Sequence, residues 1–297
     1  MVTMSDSGRR PNWIPRSFLF LLSLSVLGFL LITCYTAPIT GRSQLILISP
    51  EMADEMGVTA FREVLSREEV SNDPEYNEAV RRVGSRIARV SDTPNYRWEY
   101  RVIKGDDTIN AFALPGGKVG VYTGILPIAK NDAGLATVIG HEVGHVAAHH
   151  GAERISAGIL AELGAVGLGI ALRNRDPGVV NAIMQAYGIG VTVGGILPFS
   201  RSQESEADRI GLVYMARAGY DPRESIAFWQ RMGEATRNKP KPPEFLSTHP
   251  DYGARIRNLE TWLPEAMYYY RRSPKAPNYY IAFKGTGYEE INPDPSP

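Results

Sequence analysis

The stretch His141–His150 reads HEVGHVAAHH and holds four of the five histidines in a chain of 297 residues. Two imidazoles four residues apart, His141 and His145, fall on one face of a helix. They lie about 6 Å apart along its axis, where both can turn toward one tetrahedral ion. Glu142 is one position on, about 100° round the helix. From there its carboxylate reaches a metal-bound water rather than the metal itself. HExxH is thus the spacing of a zinc hydrolase, with two ligands and a general base. A catalytic zinc usually takes a third protein ligand and keeps a fourth position open. His149 continues the four-residue spacing, but eight residues of helix span about 12 Å, too far for ligands about 2 Å from one ion. His149 and His150 are expected instead to end the helix, where imidazoles suit its C-terminal dipole.

A candidate third ligand lies downstream, in SRSQESEADRIG (Ser200–Gly211). Glu204 and Asp208 are four apart and share a helix face; Glu206 points elsewhere and is expected in solvent. The Glu-x-x-Ala-Asp arrangement resembles the third-ligand helix of the gluzincins. That resemblance implies that Glu204 binds zinc and that Asp208 orients one of the histidines. A carboxylate on the second ring N–H of a ligating histidine fixes its tautomer and raises its basicity.

The strings NAFALPGG, GHEVGHVAAHHGAER, FSRSQESEADRIGL and STHPD, the last followed by Arg255, occur in this order between about residues 60 and 262. Together they resemble the zinc endopeptidases related to HtpX, the CAAX-prenyl protease and the mitochondrial OMA peptidase. The resemblance implies an α+β fold: a mainly helical, zincin-like metallopeptidase domain with a small β-sheet or hairpin at the active-site edge. It implies one Zn2+ per chain. It also places the loop of His249 near the metal without choosing its role. That imidazole donates a hydrogen bond to the developing oxyanion, or occupies the open zinc position and holds the enzyme latent, or is an ordinary surface histidine of a loop.

Other elements must position these residues. Glu51–Arg89 carries helical spacing, with Asp73 and Pro74 suited to a helix start. Tyr96–Ile103 alternates as a strand does. Thr108–Leu126 reads as two strands joined across Pro115-Gly116-Gly117. Within it Asn110, Ala111 and Phe112 offer an edge to which an extended substrate can add as a strand; a tight turn in a core hairpin is the alternative. Asn131 or Asp132 provides an N-cap for the histidine helix. Ser156–Pro198, rich in Gly, Ala, Ile and Val, predicts two apolar helices. A further helix starts near Ser202 and stops at Gly219, and another covers Ala254–Thr261. The segment from Met267 is aromatic and proline-rich.

Lys plus Arg equals Asp plus Glu at 32 each, and no basic run with interleaved aromatics occurs, which argues against a nucleic-acid partner. At the N-terminus Arg9, Arg10 and Arg16 precede the uncharged stretch Ser17–Ile32. This is the pattern of a secretory signal and is short for a spanning helix. It ends at LITC, and Cys34 is the only cysteine. LITC resembles the lipobox of bacterial lipoproteins, in which the cysteine is lipidated, although Thr33 stands where Gly, Ala or Ser is usual. CYTAPITGRSQL is similar to the exported lipoprotein members of the same peptidase group. An uncleaved anchor is the alternative, and either one tethers the domain to a membrane.

The expected organisation is a signal peptide at 1–33, a lipidated tether at 34–58, a metallopeptidase domain at 59–265 and a tail at 266–297. The expected function is proteolysis of unfolded or misfolded envelope proteins on the periplasmic side of a bacterial membrane. A non-catalytic, zinc-stabilised assembly or holdase factor is the rival, and Glu142 argues against it, because structural zinc needs no general base.

Overall fold

The computed structural model describes residues 34–93, 95–171, 199–237, 245 and 252–284. The fold is α+β and mainly helical. Its centre is α4 (Asp132–Ala147), buried along its whole length. Alanine, valine, leucine and isoleucine on every side make α4 a core helix rather than a surface one. Around it pack α2 (Pro74–Val90), α6 (Arg201–Arg217), α7 (Glu224–Thr236) and strand β4 (Ala111–Leu114). α1 (Pro50–Arg67), the short α3 (Leu126–Ala129), α5 (His150–Ala171) and α8 (Tyr252–Arg272) complete the described α-helices.

The start of α4 is over-determined. Asn131 caps it, its side-chain oxygen accepting from the Gly134 N–H at 2.8 Å. Asp132, in the first turn, takes a bidentate pair from Arg82 at 2.8 and 2.9 Å. The Asp132 and Ala133 N–H groups donate to Tyr279 and Asn278, so the C-terminal segment satisfies donors that every helix start leaves open. The segment expected as a tail therefore continues α8 to Arg272 and then returns to the core, where Ile281 is buried.

Strands β3 (Glu99–Ile103), β4 and β5 (Lys118–Tyr122) form a sheet in the order β3-β5-β4. β3 runs parallel to β5, and β4 antiparallel to it, with Ala111 opposite Val121 and Leu114 opposite Lys118. The expected hairpin forms, and its turn uses positive φ at Gly116 and Gly117. β4 is an edge strand and lies against α4.

The segment expected as a tether is ordered structure. β1 (Cys34–Thr36) and β2 (Ser43–Leu45) form an antiparallel hairpin, and α1 begins at Pro50. Cys34 stands at the first residue of β1. Of the two helices expected over Ser156–Pro198, the first is α5, and 172–198 lies outside the described residues. Among the described residues, no helix is long and apolar enough to cross a membrane.

Candidate metal centre

Two helices supply the ligand cluster, and glycine lets them approach. A Cβ on Gly211 of α6 would come within 2.6 Å of the His141 N in α4, and one on Gly144 within 2.9 Å of the Ala207 carbonyl. The contact is backbone against backbone and brings the HExxH face of α4 onto the Glu204 face of α6. A capping box at Ser200 and Gln203 fixes the start of α6, so Glu204 falls in its first turn.

The structure brings His141, His145 and Glu204 together, all three buried, with ligand atoms within 4.8 Å of one another. His141 Nε2 lies 3.1 Å from His145 Nε2. Glu204 Oε2 is 3.5 Å from His141 Nε2, and Oε1 is 3.4 Å from His145 Nε2. Donors about 2.0–2.2 Å from one tetrahedral ion stand about 3.3–3.6 Å apart, so the donor set fits zinc. It supplies three protein ligands, the number that leaves a position open for chemistry. Burial pushes His145 well below its ordinary pKa despite the neighbouring Glu204, so it is neutral, the form that ligates.

Asp208 accepts from His141 Nδ1 at 2.8 Å, which turns Nε2 toward the cluster. Burial alone would raise the Asp208 pKa, but Arg255 and His141 outweigh it and hold the carboxyl ionised. Glu142 is buried on the same helix, next to His141. Asn110 is buried, and its side-chain oxygen accepts from the N–H of Ala111 at 2.9 Å. Phe112 stands edge-on to Phe61. Between the end of β4 and the metal helix is a cavity of about 150 Å³, lined in part by Ala113, Leu114, His145, His149, Arg154 and Phe199.

His249 lies outside the described residues. Phe245, four positions earlier, has its ring 6.2 Å from that of His141, and its N–H donates to the Ile109 carbonyl ahead of β4.

Two residues differ from expectation, His150 and Glu206, whereas His149 ends α4 as expected. His149 sits between helices at positive φ, its ring edge-on to Tyr35 of β1. His150 does not close α4 but opens α5, with no exposed surface, its Nδ1 2.9 Å from His145 Nδ1. Glu206 is not in solvent: it is 5% exposed and receives Arg42 Nε at 2.6 Å, His150 Nε2 at 2.9 Å and the Thr40 hydroxyl. The turn between β1 and β2 reaches Glu206 on α6 through Thr40 and Arg42.

Arg255 is the functional candidate that spacing could not reveal. Only 2% exposed, it donates from Nη2 to Glu204 Oε2 at 2.7 Å and from Nε to Asp208 Oδ2 at 2.6 Å. Its guanidinium stacks on Trp229, 4.1 Å from the ring centroid. One planar cation thus braces a candidate metal ligand, Glu204, and the carboxylate behind another candidate, His141.

A family model described as peptidase family M48 matches residues 74–263. The chain is 39% identical over 237 residues to the mitochondrial metalloendopeptidase OMA1 of Schizosaccharomyces pombe, covering 77% of this chain and 66% of that one. It is 32% identical over 268 residues to the mitochondrial metalloendopeptidase OMA1 of Homo sapiens, covering 83% and 50%. To the beta-barrel assembly-enhancing protease of Escherichia coli it is 30% identical over 219 residues, covering 72% and 44%. The chain therefore spans only about half to two thirds of the length of these relatives.

Proposed function

The chain belongs to peptidase family M48, and on that premise we propose that it is a zinc metalloendopeptidase tethered to a bacterial membrane. The observation that carries the reading is the convergence of His141 and His145 from α4 with Glu204 from α6, beside a buried Glu142. His141, His145 and Glu204 would hold the zinc, which would supply a Lewis acid for a water and for the peptide carbonyl. Glu142 takes the proton as the water oxygen attacks the carbonyl carbon, then gives it to the amine nitrogen as the C–N bond breaks. Asp208 holds His141, and Arg255 holds Glu204 and Asp208, so the ligands stay in place through the reaction.

The edge strand β4 receives an extended substrate by backbone pairing near Asn110, Ala111 and Phe112, and the cavity beside Ala113 and Leu114 takes one of its side chains. Such recognition reads main chain more than sequence, which suits unfolded or misfolded envelope proteins as substrates. His249 follows Phe245 and precedes Arg255, both of which touch the ligand cluster, which supports a role for it as oxyanion donor. His249→Ala then lowers kcat with little change in KM; higher basal proteolysis would instead identify it as a blocking zinc ligand. Lipidation of Cys34 is supported by the basic and apolar segment ahead of it. An intact mass that retains residues 1–33 would replace it with an uncleaved anchor.

The deciding experiment incubates the purified full-length protein with casein, with and without chelator, and with zinc restored. Cleavage that chelator stops and zinc restores is expected. Glu142→Gln should bind zinc normally and cleave about 10²–10⁴-fold more slowly. Wild-type cleavage rates in that variant would overturn the mechanism.

A further inference from the structure

The two candidate histidine ligands are held in different ways. His141 is held directly by the Asp208 carboxylate. His145 instead meets a second imidazole: its Nδ1 lies 2.9 Å from Nδ1 of His150, whose Nε2 lies 2.9 Å from Oε2 of Glu206. Two facing ring nitrogens at that distance share one proton, so one of them carries it and the other accepts. Which one is settled by the far end of each ring. A ligating His145 must present a bare Nε2, so its proton is on Nδ1 and points at His150. His150 Nδ1 is then the acceptor, and its own proton is on Nε2, where Glu206 receives it. The opposite arrangement would put a proton on the His145 nitrogen that faces Glu204 and leave Glu206 opposite a bare ring nitrogen.

Glu206 is fixed from the other side. Arg42, in the turn between β1 and β2, donates to it through Nε at 2.6 Å, and Thr40 of the same turn donates its hydroxyl. The same guanidinium makes a bidentate pair with Glu153 of α5 at 2.6 and 2.8 Å. Gln44 of β2 donates to Glu153 at 3.2 Å and to the carbonyl of Ala148, the C-cap of α4. The hairpin therefore grips the junction between α4 and α5, at which His150 stands.

We propose that His150 and Glu206, clamped by Arg42, form a positioning relay for the His145 ligand, so that the hairpin that begins at Cys34 is part of the metal centre. The proposal rests on the zinc reading above and goes beyond it. It makes the segment next to the membrane attachment a determinant of metal affinity, with no contact to substrate.

The test is the zinc dissociation constant of the full-length protein, measured by competition with a chromophoric chelator, together with the visible spectrum of the cobalt-substituted site. His150→Phe keeps ring volume but offers no acceptor, and should weaken zinc binding about 10–100-fold. His150→Asn puts an amide oxygen where Nδ1 was, and should recover part of that loss. Arg42→Ala, remote from the metal, should shift affinity in the same direction by a smaller factor and alter the cobalt spectrum. A filler role for His150 predicts that Phe is tolerated and Asn is not, the reverse order. Wild-type affinity and spectrum in folded His150→Phe would overturn the relay. If that variant does not fold, unchanged affinity and spectrum in Arg42→Ala, whose side chain is 33% exposed, would overturn it equally. Failure of the wild type to bind zinc would instead overturn the reading of the site itself.

Discussion

Gly211 lies so close to His141 that a Cβ on the glycine would stand 2.6 Å from the histidine N. Two ligand-bearing helices are thereby held at backbone contact, and their separation sets the spacing between the α4 imidazoles and the Glu204 carboxylate. Gly211→Ala should push α6 away, with an overpacking cost of about 1–3 kcal/mol and a matching loss of zinc affinity. Gly158→Ala, on a helix position with open space around it, is the control and should stabilise by about 0.5–1 kcal/mol. Thermal unfolding with and without zinc compares the two. Equal behaviour would show that the close approach does not set the ligand spacing.

The choice of third ligand has a direct measurement. Glu204→Ala removes a carboxylate that stands 3.4–3.5 Å from both ligand nitrogens, and zinc stoichiometry should fall well below one per chain. His149→Ala removes a ring that faces Tyr35, and stoichiometry should hold. The opposite pair of results would move the third ligand to His149.

These residues differ in how far the sequence could place them. Helical spacing alone puts His141 and His145 on one face and Glu204 and Asp208 on another, because the periodicity of a helix does not depend on what surrounds it. The same spacing turns Glu206, two residues from Glu204, away from the metal cluster, and in the structure its carboxylate meets His150 and Arg42. Glu206 is nonetheless buried, because His150 and the distant Thr40 and Arg42 meet its carboxylate, and no local pattern announces a distant hairpin. His150 opens α5 rather than closing α4 for another reason. Positive φ at His149 ends one helix and starts the next in a new direction, so spacing counted from His145 cannot be carried past it. Arg255 enters the sequence only through the resemblance, as the arginine that follows STHPD; its role exists only once α8 lays it across Glu204 and Asp208. The β4–β5 hairpin was legible because Pro115-Gly116-Gly117 is a local instruction.

Arg255 sits between two buried carboxylates, and truncation removes the cation that both share, leaving Asp208 its hydrogen bond from His141. Breaking a buried pair by removing one partner costs about 3–5 kcal/mol. Arg255→Gln should lower the melting temperature most in the metal-free protein, because bound zinc partly replaces the lost positive charge. Arg255→Lys should rescue little, since a single ammonium does not reproduce a fork that contacts Glu204 and Asp208 together. Calorimetry on metal-free and zinc-loaded forms reads the difference, and an equal loss in both would remove Arg255 from the electrostatics of the metal site.

The hairpin clamp should also have a pH signature, because Glu153 sits at its centre. Burial alone would raise the pKa of this carboxyl, but hydrogen bonds from Arg42, Gln203 and Gln44 outweigh it and bring the value from 4.5 down to about 2. In the folded protein the group therefore releases its proton more readily than in the unfolded chain. Between those two values the unfolded state binds more protons, so stability rises with pH across the window. The contribution of Glu153 is present in full above about pH 4.5 and is lost progressively as pH falls toward 2. Melting temperatures of wild type and Glu153→Gln, measured across that range, isolate it from other carboxylates that titrate nearby. The gap between the two proteins should be widest above pH 4.5 and close as the pH approaches 2. A gap that stays constant over this range would mean that the charge of Glu153 does not hold the hairpin against α5.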